Sequence, residues 1–333
     1  MEMVTSKGQI EALFRSMRII HSLAEKAFDE LDQMRECKRL SEDGEEQLAG
    51  TLFADSHAGK STTMRMYLET RIYPECIARG LFKPGTPMAH VLKLQKLVLF
   101  IEIPPETRVK ALISAVLKAL DDPTPTKGDV DDMIYRAEIL LRKHKVELII
   151  FDEVGHLTIP KKAGDQAMRI HNHLKSFLRK GYPVAFVGIK EARAKIFNEK
   201  QIERREMNDI EYPELDYSID ADKNTFRDFC ADFAISLLEK GITRELSDFI
   251  GEKDVILAPL FQASLGLFGG VARIAEKACK LVFDEGAPRI EVRHLEEAVD
   301  SLNGFKKGRK GQPKPNAFRD GKACANLVSA DAA

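Results

Sequence analysis

The stretch FADSHAGKSTT, from Phe53 to Thr63, decides which fold class the sequence predicts. It contains the Gly-Lys-Ser of the phosphate-binding pattern G-x-x-x-x-G-K-[ST], but Ala54 stands where the first glycine of that pattern belongs. An apolar segment suited to a β-strand, 48–53, leads into the stretch, and a helical pattern, 62–70, follows it. In this order the pattern binds phosphate, because backbone N–H groups at the start of a helix form an anion site. The sequence therefore predicts a nucleotide-binding loop.

Three residues of this loop have defined tasks in such a site. Gly59 lets the backbone approach the phosphates, Lys60 places a positive charge on the β- and γ-phosphates, and Ser61 offers a hydroxyl to Mg²⁺. The first glycine mainly eases the turn, and alanine adopts most of the same conformations, so Ala54 does not exclude binding. We expect contacts to ATP along the whole loop, from Ala54, Asp55, Ser56, His57, Ala58, Gly59, Lys60, Ser61 and Thr62.

A second motif, VELIIFDEVGHL at 146–157, completes the predicted site. Its apolar run is typical of a buried parallel strand, and it ends in Asp152 and Glu153. Open α/β sheets hold their ligands at the carboxyl ends of the strands. We therefore expect Asp152 to bind Mg²⁺ together with Ser61, and Glu153 to orient or deprotonate the attacking water.

The order of strand-like and helical segments predicts an α/β fold with a parallel sheet flanked by helices, followed by a small all-helical domain. Strands are predicted at 48–53, 97–103, 146–151 and 182–189, and helices at 9–36, 62–70, 108–120, 130–143 and 164–179. After Pro213 only helical patterns occur, at 222–240, 243–250, 254–265, 270–285 and 292–302. The predicted domains are a helical arm (1–45), an α/β core (46–215), a helical lid (216–303) and a basic tail (304–333) expected to be disordered.

Composition narrows the class of protein. The net charge of −1 confines any nucleic-acid surface to a local patch. The five cysteines form no C-x-x-C pair, which argues against a zinc site or a disulfide framework. The charged first 14 residues predict no signal peptide, and no apolar run reaches the roughly 18 residues that a membrane span needs. We expect a cytoplasmic protein with no membrane partner.

Several further segments resemble one family. They are VGIKEA at 187–192, QIERRE at 201–206, GGVARI at 269–274, and the strand–Pro–Pro–helix run LFIEIPPETRVKALISAVLKALDDP at 99–123. Together with the two motifs above, they resemble the AAA+ class. More narrowly, the chain resembles the TniB/TnsC transposition ATPases, relatives of the Mu phage B protein, over roughly residues 10–303.

The resemblance implies roles for three arginines. Arg205 matches an arginine finger that would reach the nucleotide of a neighbouring subunit, with Arg204 as a close rival. Arg273 matches the lid arginine that contacts the nucleotide. The chain departs from the family at Ile189, where a threonine is usual, so the polar sensor is either missing or replaced by Lys190. That departure and Ala54 leave room for slow hydrolysis.

The resemblance also implies the function. The expected protein is an ATP-dependent DNA-binding regulator that forms a homo-oligomer, a ring or a helical filament, on target DNA. A transposase is the implied partner, and a target-selecting protein is a further candidate. Contacts to double-stranded DNA would be mostly sequence-independent, through phosphates. The candidate cations are Arg108 and Lys110 beside the Pro-Pro turn, and Lys306, Lys307, Arg309 and Lys310 in the tail.

Two other functions fit the same motifs. One is an ATP-binding scaffold with little hydrolysis, and the other is an AAA+ helicase loader or replication initiator. An initiator usually has a winged-helix domain after the lid, and the roughly thirty residues that follow Asn303 are too few for one. The histidines at 156, 171 and 173 have no third ligand at a recognisable spacing, so we expect no metal site there.

Overall fold

A parallel five-stranded sheet forms the centre of the larger part of the fold. The computed structural model describes residues 3–105, 107–157, 177–196, 207–303 and 316–319. The strands are β1 (Ala49–Phe53), β2 (Val98–Glu102), β3 (Leu148–Asp152), β4 (Val184–Gly188) and β5 (Met207–Asp209). Their order in the sheet is β2-β3-β4-β1-β5, and every neighbouring pair is parallel.

The composition of the strands explains their position in the sheet. All five residues of β3 and all five of β4 are buried, as their continuous apolar runs predict for strands covered on both faces. β5 was not apparent in the sequence. It lies at the edge of the sheet, where Thr51 of β1 donates a side-chain hydrogen bond to Asp209.

Helices surround this sheet. They are α2 (Ser22–Leu40), α3 (Lys60–Tyr67), α4 (Tyr73–Ala78), α5 (Met88–Leu94), α6 (Val109–Ala119), α7 (Val130–His144) and α8 (Lys190–Ile196), with a π-helical turn (Leu68–Ile72) between α3 and α4. The predicted helices at 108–120 and 130–143 correspond to α6 and α7. Of the predicted helix at 164–179, only 177–179 lie in the described ranges, and they are helical.

Buried charges tie three of these elements together. Arg35 of α2 is 1% exposed. Its guanidinium donates to Glu75 of α4 and to Glu147 before β3, both at 2.7 Å, and to Asp32 at 3.1 Å. Arg79 also pairs with Glu147. A buried charge is tolerated only when it is paired in this way.

The remaining helices form a second unit. They are α1 (Lys7–Ser16), α9 (Asp220–Glu239), α10 (Leu257–Ser264), α11 (Phe268–Glu285) and α12 (Val292–Asn303). Aromatic rings fill its interior: the ring of Phe229 lies 4.4 Å from that of Phe268 and 5.8 Å from that of Phe233. Phe229 and Phe233 belong to the predicted helical pattern at 222–240, and Phe268 begins α11, so these helices are held by apolar burial.

The predicted helix at 9–36 is wrong as a single element, because the chain breaks it between α1 and α2. At the break, Met17 has extended backbone angles, φ −67° and ψ 134°. Met17, Ile19 and His21 are buried in alternation, which is the period of an extended segment rather than of a helix. The apolar residues of this segment fit both periods, and tertiary burial decides between them.

The predicted helix at 243–250 is also wrong. Arg244 and Glu245 donate their backbone N–H groups to the carbonyl oxygen of Pro288, and the hydroxyl of Ser247 accepts from the N–H of Ile290. The carboxylate of Asp248 accepts from the N–H groups of Ile250 and Gly251. These side-chain and long-range bonds replace the bonds that a helix would use.

Two compact units result. One comprises Leu23–Ser56 and Lys60–Tyr212, and the other comprises Met1–Ser22, His57–Gly59 and Pro213–Ala333. The chain therefore changes unit at 212–213, near the expected boundary at 215. The first 22 residues group with the C-terminal helices, so the segment predicted as an arm, 1–45, contributes residues to both units.

Four residues of the basic tail are described, and they are held in place. The side chain of Asn316 donates to Glu296 and Asp300 of α12, and Arg319 pairs with the same two acids. Ala317 is 6% exposed. For these four residues the expectation of a disordered tail is wrong, because paired charges and a buried methyl group fix them.

Within the described ranges, no single helix combines the length and apolar composition needed to cross a bilayer. Helices α10 and α11 meet both criteria only as a pair, and they are bent by 109° at the break between them.

Candidate functional site

The predicted nucleotide loop follows the carboxyl end of β1. Ala54 is 2% exposed, and its N–H donates to the carbonyl oxygen of Gly188 at 3.3 Å. The residues of the loop with positive φ are His57, at 66°, and Gly59, at 96°. Since Ala54 has no positive φ, it occupies a conformation open to any residue, and the missing first glycine causes no backbone strain.

Lys60 begins α3 and is 7% exposed. Its ammonium group donates to the carbonyl oxygens of Ala54, at 2.9 Å, and Asp55, at 2.7 Å. Burial lowers the pKa of Lys60, and the nearby carboxylates of Glu153 and Asp152 oppose that shift. The loop therefore holds a buried cation within electrostatic reach of both acids of the second motif.

Ser61 and Asp152 meet because β1 and β3 are both neighbours of β4 in the sheet. The hydroxyl of Ser61 lies near enough to the Asp152 carboxylate to lower its pKa, and the N–H of Glu153 donates to Asp152 Oδ1 at 2.9 Å. Asp152 is 2% exposed, and this burial raises its pKa although Ser61 and the N–H of Glu153 act in the opposite direction. The structure brings the two sequence motifs together.

The donor set fits Mg²⁺ bound with a nucleotide. Among the described residues, no group of three or more His, Cys, Asp or Glu side chains could hold a metal ion without help. Mg²⁺ is usually held by one or two carboxylates together with phosphate oxygens and water. The hydroxyl of Ser61 and the carboxylate of Asp152 are hard oxygen ligands of that kind.

Glu153 has an unusual backbone. Its angles, φ 56° and ψ 40°, lie in the left-handed region, and a 3₁₀ turn (Val154–His156) follows it. Such a conformation in a non-glycine residue costs on the order of 1–3 kcal/mol and persists only where the surroundings impose it. The turn places the half-buried Glu153 side chain beside the loop instead of continuing β3.

The end of β4 also reaches the loop. Ile189 is half-buried and packs against the main apolar cluster. Lys190 Nζ lies 3.6 Å from Asp55 Oδ1. The ammonium group of Lys190 therefore lies at this edge of the loop, and no sequence signal predicts its contact with Asp55.

Arg273 lies on α11, in the helical unit that also includes His57–Gly59. Its guanidinium is 3.5 Å from His57 Nε2. The N–H of Gly269 donates to the carbonyl oxygen of His57 at 3.1 Å. A Cβ atom on Gly269 would lie 2.4 Å from that oxygen, so only glycine fits here.

The other predicted residues divide into three groups. In the loop, Ala58 is buried, whereas Ser56 and Thr62 are exposed. Arg108 and Lys110 are exposed at the start of α6. The remaining candidates lie outside the described residues: Arg204, Arg205, Lys306, Lys307, Arg309 and Lys310.

One acid near the site was missed by the sequence reasoning. Glu102, the last residue of β2, lies opposite Asp152 in the parallel register. Its charge contributes to the raised pKa of Asp152, after the larger effect of burial. An acid that ends a β-rich run, as in LFIE, is a signal that could have identified it.

Comparisons with known proteins agree with this architecture. The model of the bacterial TniB protein family matches residues 9–211. No curated protein matches the sequence. Similar solved structures include the Aeropyrum pernix ORC1 protein in complex with DNA, with 14% identity, 86% of this chain and 66% of that chain covered, and a TM-score of 0.55.

Two further structures are similar. Cdc6p from Pyrobaculum aerophilum is 14% identical, with 89% of this chain and 71% of that chain covered and a TM-score of 0.57. The A. pernix ORC2 protein in its ADPNP–ADP complexes is 12% identical, with 84% of this chain and 68% of that chain covered and a TM-score of 0.51. The chain thus spans about two thirds of the length of these proteins. At such identities the likeness concerns the fold alone, and it confirms the predicted α/β core with a parallel sheet followed by a helical part. Because the family model covers more than half of the sequence, this chain belongs to the TniB family of bacterial proteins.

Proposed function

We propose that this chain is an ATP-dependent DNA-binding regulator of transposition, which hydrolyses ATP, assembles on duplex DNA and recruits a transposase. The observation that carries the ATPase part is the convergence of the two motifs: the buried Lys60 lies within electrostatic reach of Asp152 and Glu153, and Ser61 acts on the Asp152 carboxylate. Family membership supports the transposition part.

Each side chain of the proposed site has a separate role in binding or hydrolysing ATP. When ATP enters, Lys60 exchanges the carbonyl oxygens of Ala54 and Asp55 for phosphate oxygens, which bear full negative charge and form stronger hydrogen bonds. Mg²⁺, held by Ser61 and Asp152, would neutralise charge on the phosphates. Glu153 orients the attacking water and accepts its proton.

Arginines complete the proposed reaction. Arg273, which matches the lid arginine of the family, is proposed to contact the nucleotide. Arg205, or its neighbour Arg204, reaches the γ-phosphate bound by an adjacent subunit and stabilises the charge of the transition state. In this proposal hydrolysis depends on assembly, because one subunit supplies the arginine to the next.

The proposed DNA surface includes Arg108 and Lys110, whose exposure at the start of α6 supports contact with phosphates. Lys306, Lys307, Arg309 and Lys310 are proposed to add to it. The A. pernix ORC1 structure is a complex with DNA, so another protein of similar fold binds DNA. Recognition through phosphates would be independent of sequence and sensitive to salt.

A scaffold that binds ATP without turnover is the second candidate, and the apolar Ile189 at the end of β4 favours it. A helicase loader or replication initiator is the third, and the likeness to ORC and Cdc6 folds is its support. Measurement of ATP turnover with and without DNA separates the first candidate from the second. Capture of a purified transposase separates the first from the third.

The decisive experiment uses Glu153→Gln, with Lys60→Ala as the matched control. The glutamine variant should bind ATP and stall before hydrolysis, because Glu153 prepares the water but contributes little to binding. It should then hold fluorescent duplex DNA with ATP for longer than wild type does. The Lys60 variant should bind DNA equally with ATP, with ADP or without nucleotide.

The readout is DNA dissociation followed by fluorescence anisotropy at several salt concentrations. The affinity should fall with a log–log slope of roughly −0.9 for each phosphate neutralised. Equal dissociation of wild type with ATP and with ADP would refute nucleotide gating. No binding at low salt would refute the DNA role.

A further inference from the structure

His156 joins the two loops that follow β2 and β3. Its Nδ1 atom lies 2.8 Å from the carbonyl oxygen of Ile103. Because a carbonyl oxygen only accepts, Nδ1 carries the proton and donates it. The backbone of the same residue bonds in both directions: its N–H donates to Glu153 O at 2.9 Å, and its oxygen accepts from Thr107 N at 3.2 Å.

Backbone contacts complete this junction. The N–H of Ile103 donates to the carbonyl oxygen of Asp152 at 3.0 Å, and Thr107 forms a parallel bridge with Leu157. The hydroxyl of Thr107 donates to the carbonyl oxygen of Pro104 at 2.6 Å. The bond from the His156 ring to Ile103 is a side-chain contribution to this junction, and it links the loop after β3 to the loop after β2.

The two ends of the junction carry different chemistry. At one end is Glu153, strained at φ 56° and fixed by the bond from the N–H of His156. At the other end Thr107 directly precedes Arg108, and Lys110 follows in the first turn of α6. Two backbone hydrogen bonds and one peptide bond therefore connect the Glu153 turn to Arg108.

We propose that His156 is a positioning residue that couples the state of Glu153 to the DNA-contacting segment at the start of α6. This inference rests on the proposed function, since it assigns His156 a role between ATP and DNA. The histidine acts through its donor at Nδ1, and it touches neither the nucleotide nor the DNA. Packing alone would not require that donor.

Two variants separate the donor from the volume of the ring. His156→Phe keeps a planar ring and removes the donor, whereas His156→Asn places an amide N–H near the position of Nδ1. His90→Phe, at an exposed position on α5, is the matched control. Each variant is compared with wild type for ATP affinity, for DNA dissociation with ATP and with ADP, and for amide hydrogen exchange over residues 103–112.

Wild type should show slower DNA dissociation with ATP than with ADP, and ATP-dependent protection of 103–112. In His156→Phe the ATP affinity should stay within about twofold, while the ratio of the two dissociation rates falls about fivefold, the usual effect of one lost hydrogen bond. The ATP-dependent protection should disappear with it. His156→Asn should restore most of both, and His90→Phe should match wild type.

Three results would overturn the inference. In the first, His156→Phe leaves the ratio of the two DNA dissociation rates and the protection of 103–112 unchanged. In the second, His156→Phe and His156→Asn lower that ratio equally. In the third, His156→Phe weakens ATP binding by as large a factor as it lowers the ratio. The proposed function fails differently: wild type itself would bind no ATP, or would release DNA equally with ATP and ADP. In the second of those cases, ATP-dependent protection of 103–112 that vanishes only in His156→Phe would still support the relay.

Discussion

Replacing Gly269 with alanine tests whether the close contact between Gly269 and His57 matters for ATP binding. The new Cβ would lie 2.4 Å from the carbonyl oxygen of His57 and 3.2 Å from its carbonyl carbon. His57 is already at φ 66°, so its backbone has little freedom to move away. Overpacking of this kind costs about 1–3 kcal/mol. We expect the melting temperature to fall by several degrees.

The same strain should reach ATP binding. If the alanine displaces His57 and ATP binding requires its original position, restoring that position reduces the free energy of ATP binding by about 1–3 kcal/mol as well. That corresponds to a roughly 5- to 150-fold weaker affinity. Equilibrium ATP titration well below the melting temperature measures it.

The neighbouring glycine is the matched control. An alanine at Gly270 would place its Cβ 2.6 Å from the carbonyl oxygen of Ser264, and the loop is not among its nearest neighbours. Gly270→Ala should therefore lose stability to a similar degree and bind ATP as wild type does. If both variants bind ATP normally, the contact between Gly269 and His57 has no part in binding, and the reasoning fails.

Three other outcomes are expected. Replacing the buried Arg35 with methionine should lower the unfolding free energy by about 3 kcal/mol in urea denaturation, because the buried Glu147 and the half-buried Glu75 and Asp32 lose a shared cation; a loss under 1 kcal/mol would mean that Arg39 and Arg79 replace it. Arg205→Ala should bind ATP but not hydrolyse it, and mixing it with Lys60→Ala should restore some turnover, whereas no rescue at any ratio argues against a role between subunits. Truncation after Asn303 should lower the melting temperature more than truncation after Arg319, and equal values would mean that the contacts on α12 contribute nothing.

The main residues of the candidate site could be predicted from short stretches of the sequence. A phosphate loop and an acid pair at a strand end are defined by neighbouring residues, so Lys60, Ser61, Asp152 and Glu153 could be identified without coordinates. Their convergence also followed, since parallel strands present their carboxyl ends at one edge of the sheet. The fold class was predictable for the same reason.

Features set by distant contacts were not predictable. Whether Met17 continues a helix depends on what buries it, and the period of its neighbours fits both answers. Ser247 is not helical because its hydroxyl accepts a hydrogen bond from the N–H of Ile290, which lies far along the chain. The approach of Lys190 to Asp55 depends on the sheet order, which single-sequence patterns do not specify.

The sheet order also has a consequence for how the chain folds during synthesis. Both hydrogen-bonded neighbours of β1 come late: Ala49 pairs with Val184 of β4 and with Met207 of β5. Long-range parallel pairing is slow, and unpaired strand edges invite aggregation. A nascent chain that has emerged only as far as β3 has made the whole nucleotide loop but has no strand to hold β1. The candidate loop is thus held in place only late in synthesis, and fragments that end before β4 should expose β1 as an unpaired, aggregation-prone strand.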